Sequence, residues 1–143
     1  MKTKHFFAIT LICFLAITLP SCNKYVDGPK LSLRSKKARL CGDWKLEFYS
    51  YNDADQTAAL QALLGANFKY DIEKDGKYTV QGNFSTTGTW ELGEDGDDVM
   101  FQSSASGATL DTYRILRLKN KELWWKQTQS NGDVVEMHFV PAD

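Results

Sequence analysis

Residues 40–46 read LCGDWKL, and from this point short apolar runs and tight turns alternate as far as residue 140. Gly42 opens the first run, in which Trp44, Leu46 and Phe48 occupy every second position. Successive side chains of a β-strand point to opposite faces, so this alternation predicts a strand with one apolar face. We therefore expect the folded domain to begin close to Gly42.

Eight strand-like runs follow one another along the chain. They cover residues 42–52, 67–74, 77–82, 84–92, 98–104, 109–119, 121–129 and 133–140. Pairs such as Asp75-Gly76 and Asn131-Gly132 separate them and accept the backbone angles of tight hairpins. Short hairpins between consecutive strands predict an all-β fold, an eight-stranded up-and-down antiparallel barrel. A two-sheet sandwich is the alternative, although Greek-key order needs longer connections. In run 109–119 the apolar residues change parity, which a β-bulge would reconcile.

One segment departs from the alternation. Residues 53–67 read DADQTAALQALLGAN, with leucines at positions 60, 63 and 64 that form one apolar stripe on a helix. Asp53 or Asp55 can cap the first turn, and Gly65 can end the helix in left-handed geometry. We expect a helix of about three turns over 54–65, between the first and second strands.

The amino terminus has the organisation of an export signal, which we assign to residues 1–21. Two lysines precede an apolar run from Phe6 to Leu19, too short to span a bilayer core of about 30 Å. The following Leu19-Pro20-Ser21-Cys22 resembles a bacterial lipobox, in which the cysteine becomes the first residue and is acylated. This resemblance implies export to the cell envelope and anchoring in a membrane, the outer membrane being the expected one, through Cys22. A plain secreted protein is the alternative.

Residues 22–40 are predicted to form a flexible basic tether, and residues 41–143 the barrel domain. Residues 23–41 carry six basic side chains and one acidic side chain, whereas the remainder of the exported chain is acidic. Basic residues near a membrane are attracted to anionic head groups. An acidic folded domain is a poor partner for nucleic acid. Cys41 is expected to be a partly buried hydrophobe, or to pair with Cys22 if Cys22 is not acylated.

The motif at the start of the first strand resembles a known signature. Gly42-Asp43-Trp44 is similar to the Gly-x-Trp motif of the lipocalin superfamily, and residues 113–141, YRILRLKNKELWWKQTQSNGDVVEMHFVP, are similar to the lipocalin-like domains of Bacteroidetes lipoproteins. This resemblance extends over about residues 40–141. It implies a barrel closed at one end by Gly42 and Trp44, with an Arg, either Arg114 or Arg117, across the Trp. It also implies that the helix replaces the superfamily's lid loop.

The sequence contains few side chains that could form a catalytic or metal-binding site. Once the signal is removed, His138 is the one remaining imidazole, and its parity predicts that it faces solvent. The nucleophile elbow Gly-x-Ser-x-Gly is absent from the sequence, and one His with one Cys cannot supply a usual zinc site. The acidic run Glu94, Asp95, Asp97 and Asp98 lacks the spacing of a calcium loop and is expected to be a solvated hairpin tip. We predict neither enzymatic activity nor a metal or cofactor.

The aromatic residues carry the binding hypothesis. A lipocalin-like barrel implies a small apolar ligand at its open end, and aromatic walls suit such a ligand. The candidate lining residues are Phe48, Tyr70, Trp90, Phe101, Tyr113 and Trp125. A barrel filled by these side chains is the alternative. The chain would then act through an envelope protein partner, using whichever of Trp124 and Trp125 faces outward.

Overall fold

The computed structural model describes residues 34–142. The expected signal, Cys22 and most of the expected tether lie outside these residues. The described elements, in chain order, are α1 (Lys36–Leu40), β1 (Gly42–Tyr51), β2 (Ala54–Asp55), α2 (Thr57–Leu64), β3 (Lys69–Ile72), β4 (Lys77–Gln81), β5 (Thr86–Leu92), β6 (Asp98–Ser103), β7 (Leu110–Leu118), β8 (Leu123–Thr128) and β9 (Val134–Pro141).

The strands form a closed antiparallel barrel. From β3 to β9 each strand pairs with the next, and β1 pairs with both β3 and β9, so that eight strands complete the circle. The short β2 is an extra strand on the edge of β1. Closure leaves the main strands without open edges, as the eight sequential runs and short turns predicted. The prediction of an eight-stranded up-and-down barrel is confirmed.

Two β-bulges interrupt the simple alternation of inward and outward side chains. The register of β7 shifts between Ile115 and Arg117, which is the bulge that its mixed parity predicted. The register of β1 shifts between Leu46 and Phe48, where Glu47 is the additional residue. This second bulge inverts the parity of the remaining strand, and the prediction that Phe48 faces the interior is therefore wrong. The Phe48 ring instead lies 4.7 Å from the ring of His138, on the outer surface.

The helix between the first two long strands is present but shorter than expected. It covers eight residues, Thr57–Leu64, because Ala54 and Asp55 pair with Tyr51 and Ser50 as β2. Asn52 and Asp53 both have positive φ angles, as a tight type I′ hairpin requires. Asp55 accepts a 2.9 Å hydrogen bond from the Thr57 amide, although Gln56 occupies the N-cap position. Gly65 ends the helix with φ +95° and ψ 159° rather than in left-handed helical geometry.

A second helix, α1, covers one end of the barrel. Leu40 is completely buried, and the Arg39 guanidinium donates a 3.0 Å hydrogen bond to the carbonyl oxygen of Leu118. Lys36 forms a 3.3 Å ion pair with Asp97 in the turn between β5 and β6. Residues 36–40 are thus part of the folded body, although the sequence predicts a flexible tether over 22–40. Neither described helix has the length and apolar character needed to cross a membrane.

Candidate functional site

A cavity of about 260 Å³ lies at the end of the barrel opposite α1. Its walls come from the parts of β1, β3–β7 and β9 nearest that end, and α2 closes one side with Leu60 and Leu64. Apolar and aromatic side chains form most of its surface, and Thr86, Ser103 and Asp111 add polar groups. Ligand sites of globular proteins are typically apolar hollows with a few polar groups of this kind.

Tyr70 is the centre of the aromatic wall. Its ring centroid lies 5.6 Å from those of Phe68, Trp125 and Phe139, and 6.0 Å from that of Phe101. The first three contacts are edge-on, the geometry that aromatic quadrupoles favour. Trp125 and Phe139 are fully buried beneath this wall. The cavity therefore has a packed aromatic base.

Helix α2 is hydrogen-bonded to the hairpin between β4 and β5 across the cavity mouth. The amide of Asn83 donates a 2.7 Å bond to the Leu64 carbonyl oxygen, and its side-chain Nδ2 donates a 2.9 Å bond to that of Leu63. Gly82 makes this approach possible, because a Cβ there would lie 2.4 Å from the Leu64 oxygen. At the other end of α2, the Tyr49 amide donates a 2.9 Å bond to the Thr57 hydroxyl. The helix is fastened at both ends.

Three tyrosines share the cavity with one carboxylate. Burial is the main cause that raises the pKa of Tyr70, Tyr78 and Tyr113 above the ordinary phenol value. The charge of Asp111 raises each of these pKa values further. The phenols therefore stay neutral at physiological pH and can donate hydrogen bonds into the cavity.

The structure brings together part of the predicted ligand-lining set. Tyr70, Phe101 and Tyr113 line the cavity. Trp125 lies behind that lining in the core, and its ring centroid is 5.2 Å from that of Tyr113. Trp90 is buried toward the α1 end, where its Nε1 donates a 2.9 Å bond to the Glu73 carbonyl oxygen. Phe48 lies outside the barrel, for the reason given above.

Other lining residues escaped sequence reasoning. Leu60 and Leu64 carried a visible helical stripe, which pointed to a packed helix rather than to a cavity wall. Asp111 shares the parity of Tyr113, and this signal could have placed it on the inner face of β7, where it lies exposed at the cavity mouth. Phe84 lies in the hairpin after Gly82 and is 51% exposed at the mouth. A loop residue of this kind has no periodicity that would assign it to a site.

At the opposite end, the Gly-x-Trp motif closes the barrel together with α1. Trp44 is 3% exposed, and its indole donates a hydrogen bond to the Leu40 carbonyl oxygen. Arg114 pairs with Asp97 and Asp98, and Arg117 lies over the ring of Trp124. Both arginines therefore contact groups other than Trp44.

The acidic run of the β5–β6 hairpin is more than a solvated tip. Asp97 is partly buried between Lys36 of α1 and Arg114 of β7, at 3.3 and 3.4 Å. Lys36 also donates to the carbonyl oxygens of Asp95 and Gly96. The run thus binds α1 to the barrel. Within residues 34–142, no group of three or more His, Cys, Asp or Glu side chains is placed to hold a metal ion.

The outer face carries the remaining aromatic candidate. Trp124 points outward and stacks on His138 at 4.1 Å between ring centroids, with the Arg117 guanidinium 3.6 Å above its ring. His138 lies on the outer face, as its parity predicted, but is partly covered by this stack.

Cys41, which follows α1, is a free and partly buried thiol, and burial raises its pKa.

Comparison with known proteins gives structural likeness but no match in sequence. No family model and no curated protein matches the sequence. Among solved structures, a DUF4847 family protein from Bacteroides vulgatus is similar to this chain, with 12% sequence identity and a TM-score of 0.49. The match covers 75% of this chain and 96% of that protein.

Proposed function

We propose that this chain is a lipid-anchored, lipocalin-like binding protein of the cell envelope, which holds a small and mainly apolar ligand in the cavity beneath α2. The observation that carries the proposal is the cavity of about 260 Å³ between an aromatic wall and the Leu60 and Leu64 side chains. A barrel filled by its own side chains would leave no such space.

The size and surface of the cavity limit the ligand. Its volume is below the ~300–1,000 Å³ of sites that hold drug-sized molecules, so the ligand is smaller than these. Burial of apolar ligand surface against the apolar walls removes it from water, which contributes about 25 cal/mol per Å² to binding. The hydroxyls of Ser103 and Thr86 lie near the mouth and can bond one polar end of the ligand.

Native mass spectrometry of the gently extracted protein tests the proposal, followed by thermal unfolding with a panel of small apolar molecules. We expect a co-purified molecule, or a rise in melting temperature with part of the panel, because binding to the native state stabilises it. Val80→Phe should abolish the rise by filling the cavity. Thr79→Phe introduces the same ring on the opposite face of β4 and should preserve it. Absence of any bound molecule and any thermal shift would contradict the proposal.

The alternative is a protein that acts only through contacts of its outer face with an envelope partner. Trp124 is the outward member of the tryptophan pair and favours this alternative. However, Arg117 and His138 cover both faces of its ring, which reduces the surface it offers. A stoichiometric partner crosslinked in wild-type envelopes but lost in Trp124→Ala would support the alternative.

A further inference from the structure

We infer that the cavity selects an apolar molecule that carries a protonated amine, and that Asp111 is the partner of this charge. The inference rests on the proposed function and specifies the chemical class of its ligand. Asp111 lies near the start of β7, paired with Phe101 of β6, on the same face of the strand as Tyr113. Both neighbours line the cavity, and the Asp111 carboxylate lies at its rim.

The charge of Asp111 is not neutralised within the described chain. Of the described residues that line the cavity, Asp111 is the one with a charged side chain. Asp43 and Asp75, by contrast, pair with Lys69 at 3.2 Å and with Lys77 at 2.7 Å. Across residues 34–142, no Lys, Arg or His side chain lies within ion-pair distance of Asp111. The lining of the cavity therefore carries one negative charge, on the solvent-exposed Asp111 side chain at the mouth.

The aromatic wall also favours a cation. The faces of phenol and phenyl rings carry negative charge density and attract ammonium groups within about 6 Å. Tyr70, Tyr78, Phe101 and Tyr113 surround the inner part of the cavity with such rings, at centroid separations of 4.9 to 6.1 Å. Since the tyrosines remain protonated, they add no competing negative charge at neutral pH.

A carboxylate ligand would meet the opposite conditions. Its head group would approach Asp111 without any cation in the lining to offset the repulsion. A neutral alcohol could bond the hydroxyls at the mouth, but it would gain nothing from the Asp111 charge. Charge-assisted hydrogen bonds are about twice as strong as neutral ones. The expected order of affinity is therefore amine, then alcohol, then carboxylate.

Octylamine, octanol and octanoate test this order, because they share one apolar chain and differ at the head group. The full chain is held in phosphatidylcholine nanodiscs, and binding is measured by calorimetry with protein-free nanodiscs as the blank. We expect octylamine to bind at least about tenfold more tightly than octanol, which corresponds to about 1.4 kcal/mol. Octanoate should bind more weakly than either.

Variants then assign the preference to Asp111. Asp111→Asn should bring octylamine to within about threefold of octanol, and Asp111→Lys should make octanoate the tightest of the three. Glu91→Gln removes one exposed carboxylate on the outer face of β5 and should leave the wild-type order unchanged.

Each further outcome has a defined meaning. Equal binding of the three compounds to the wild type would overturn the amine preference and leave the proposed function in place. Equal loss of the preference in Glu91→Gln would show an effect of net charge and overturn the role of Asp111. Failure of all three to bind would overturn the amine preference, and the proposed function would fall with it only if native mass spectrometry and the thermal panel also found no bound molecule.

Discussion

The indole Nε1 of Trp44 donates a 2.8 Å hydrogen bond to the backbone carbonyl oxygen of Leu40, four residues earlier. Trp44 is 3% exposed and Leu40 is completely buried. The bond links the first strand to α1, which in turn contacts Leu118 through Arg39 and Asp97 through Lys36. The stretch LCGDWKL thus connects the helix to the barrel wall at the end opposite the cavity lined by Tyr70 and Tyr113.

Replacing this indole should destabilise the fold. Trp44→Phe removes the partner of a buried carbonyl oxygen and part of a fully packed ring. We expect the free energy of unfolding to fall by about 2–3 kcal/mol, from the unsatisfied acceptor and the space left behind. Urea denaturation followed by circular dichroism measures the change.

Trp124→Phe is the matched control. The Trp124 indole Nε1 makes no hydrogen bond with any described residue, and the smaller ring can still stack on His138. We expect a loss below about 1 kcal/mol, as for most changes outside the core. Equal losses in the two variants would show that the Leu40 bond contributes little.

The strands of this barrel could be predicted because their signals are local. Alternation, together with pairs such as Asn131-Gly132, marks each strand and turn within a few residues. Helix α1 gave no such signal, since the partners of Lys36 and Arg39 lie about sixty and eighty residues away. The prediction for Phe48 was wrong because the additional residue Glu47 reverses the alternation of inward and outward side chains in β1. Neither Leu46 nor Phe48 gives a sequence signal for this bulge.

The candidate site shows a different limit of sequence reading. The alternation of side chains correctly predicted that Tyr70, Trp90 and Trp125 face the interior. It does not predict how far along the barrel axis each side chain lies. Trp90 lies toward α1 and Trp125 lies behind Tyr70, so neither lines the cavity. Asp111 has inward parity too, yet a charged residue is usually assigned to the surface. A cavity depends on where side chains leave space, which only three-dimensional packing determines.

The Asn83 side chain should control the opening of α2. Asn83→Ala removes the bond from Nδ2 to the Leu63 carbonyl oxygen but retains the backbone bond to Leu64. A net loss of about 0.5–1.4 kcal/mol corresponds to a roughly two- to tenfold larger open population of the helix. Hydrogen exchange of peptides covering 57–68 should accelerate by this factor.

Gln81→Ala serves as the control for this measurement, because it truncates an exposed side chain in the adjoining strand β4. We expect exchange in α2 to remain at the wild-type rate. Unchanged exchange in Asn83→Ala as well would mean that Thr57 and the apolar contacts of Leu64 hold the helix without help from this side chain.

The buried tyrosines should make the protein sensitive to alkaline pH. Burial raises the pKa of Tyr70 and Tyr113 above their ordinary value of 10.0. Above pH 10 the unfolded chain loses these protons while the folded chain retains them. Stability is therefore fully present below pH 10 and falls as pH rises, by about 1.4 kcal/mol per pH unit for each such tyrosine.

Tyr70→Phe should reduce this slope by the contribution of one tyrosine, as measured by urea denaturation between pH 9 and pH 11. Phe101→Leu disturbs the same cavity without removing a titrating group, so it should lower stability without changing the slope. Absorbance of phenolate at 295 nm should rise together with unfolding. A rise well before unfolding would contradict the retention of these protons by the folded state.

The lipid anchor can be tested separately from the barrel, because Cys22 precedes the described residues. If Cys22 is acylated, several acyl chains at about 0.8 kcal/mol per buried CH₂ hold the chain on a membrane, whereas one chain alone binds marginally. Attraction between the basic residues 23–41 and anionic head groups is screened beyond about 8 Å at physiological salt, and should matter little once the lipid is present.

The substitution Cys22→Ala tests the anchor. It should abolish labelling by an alkyne palmitate analogue and leave the barrel folded. Cys41→Ala, which changes the free thiol beside α1, should leave labelling intact. Equal labelling of Cys22→Ala and the wild type, or recovery of the wild type as a freely soluble species, would contradict the anchor, while the fold of residues 34–142 would stand under either result.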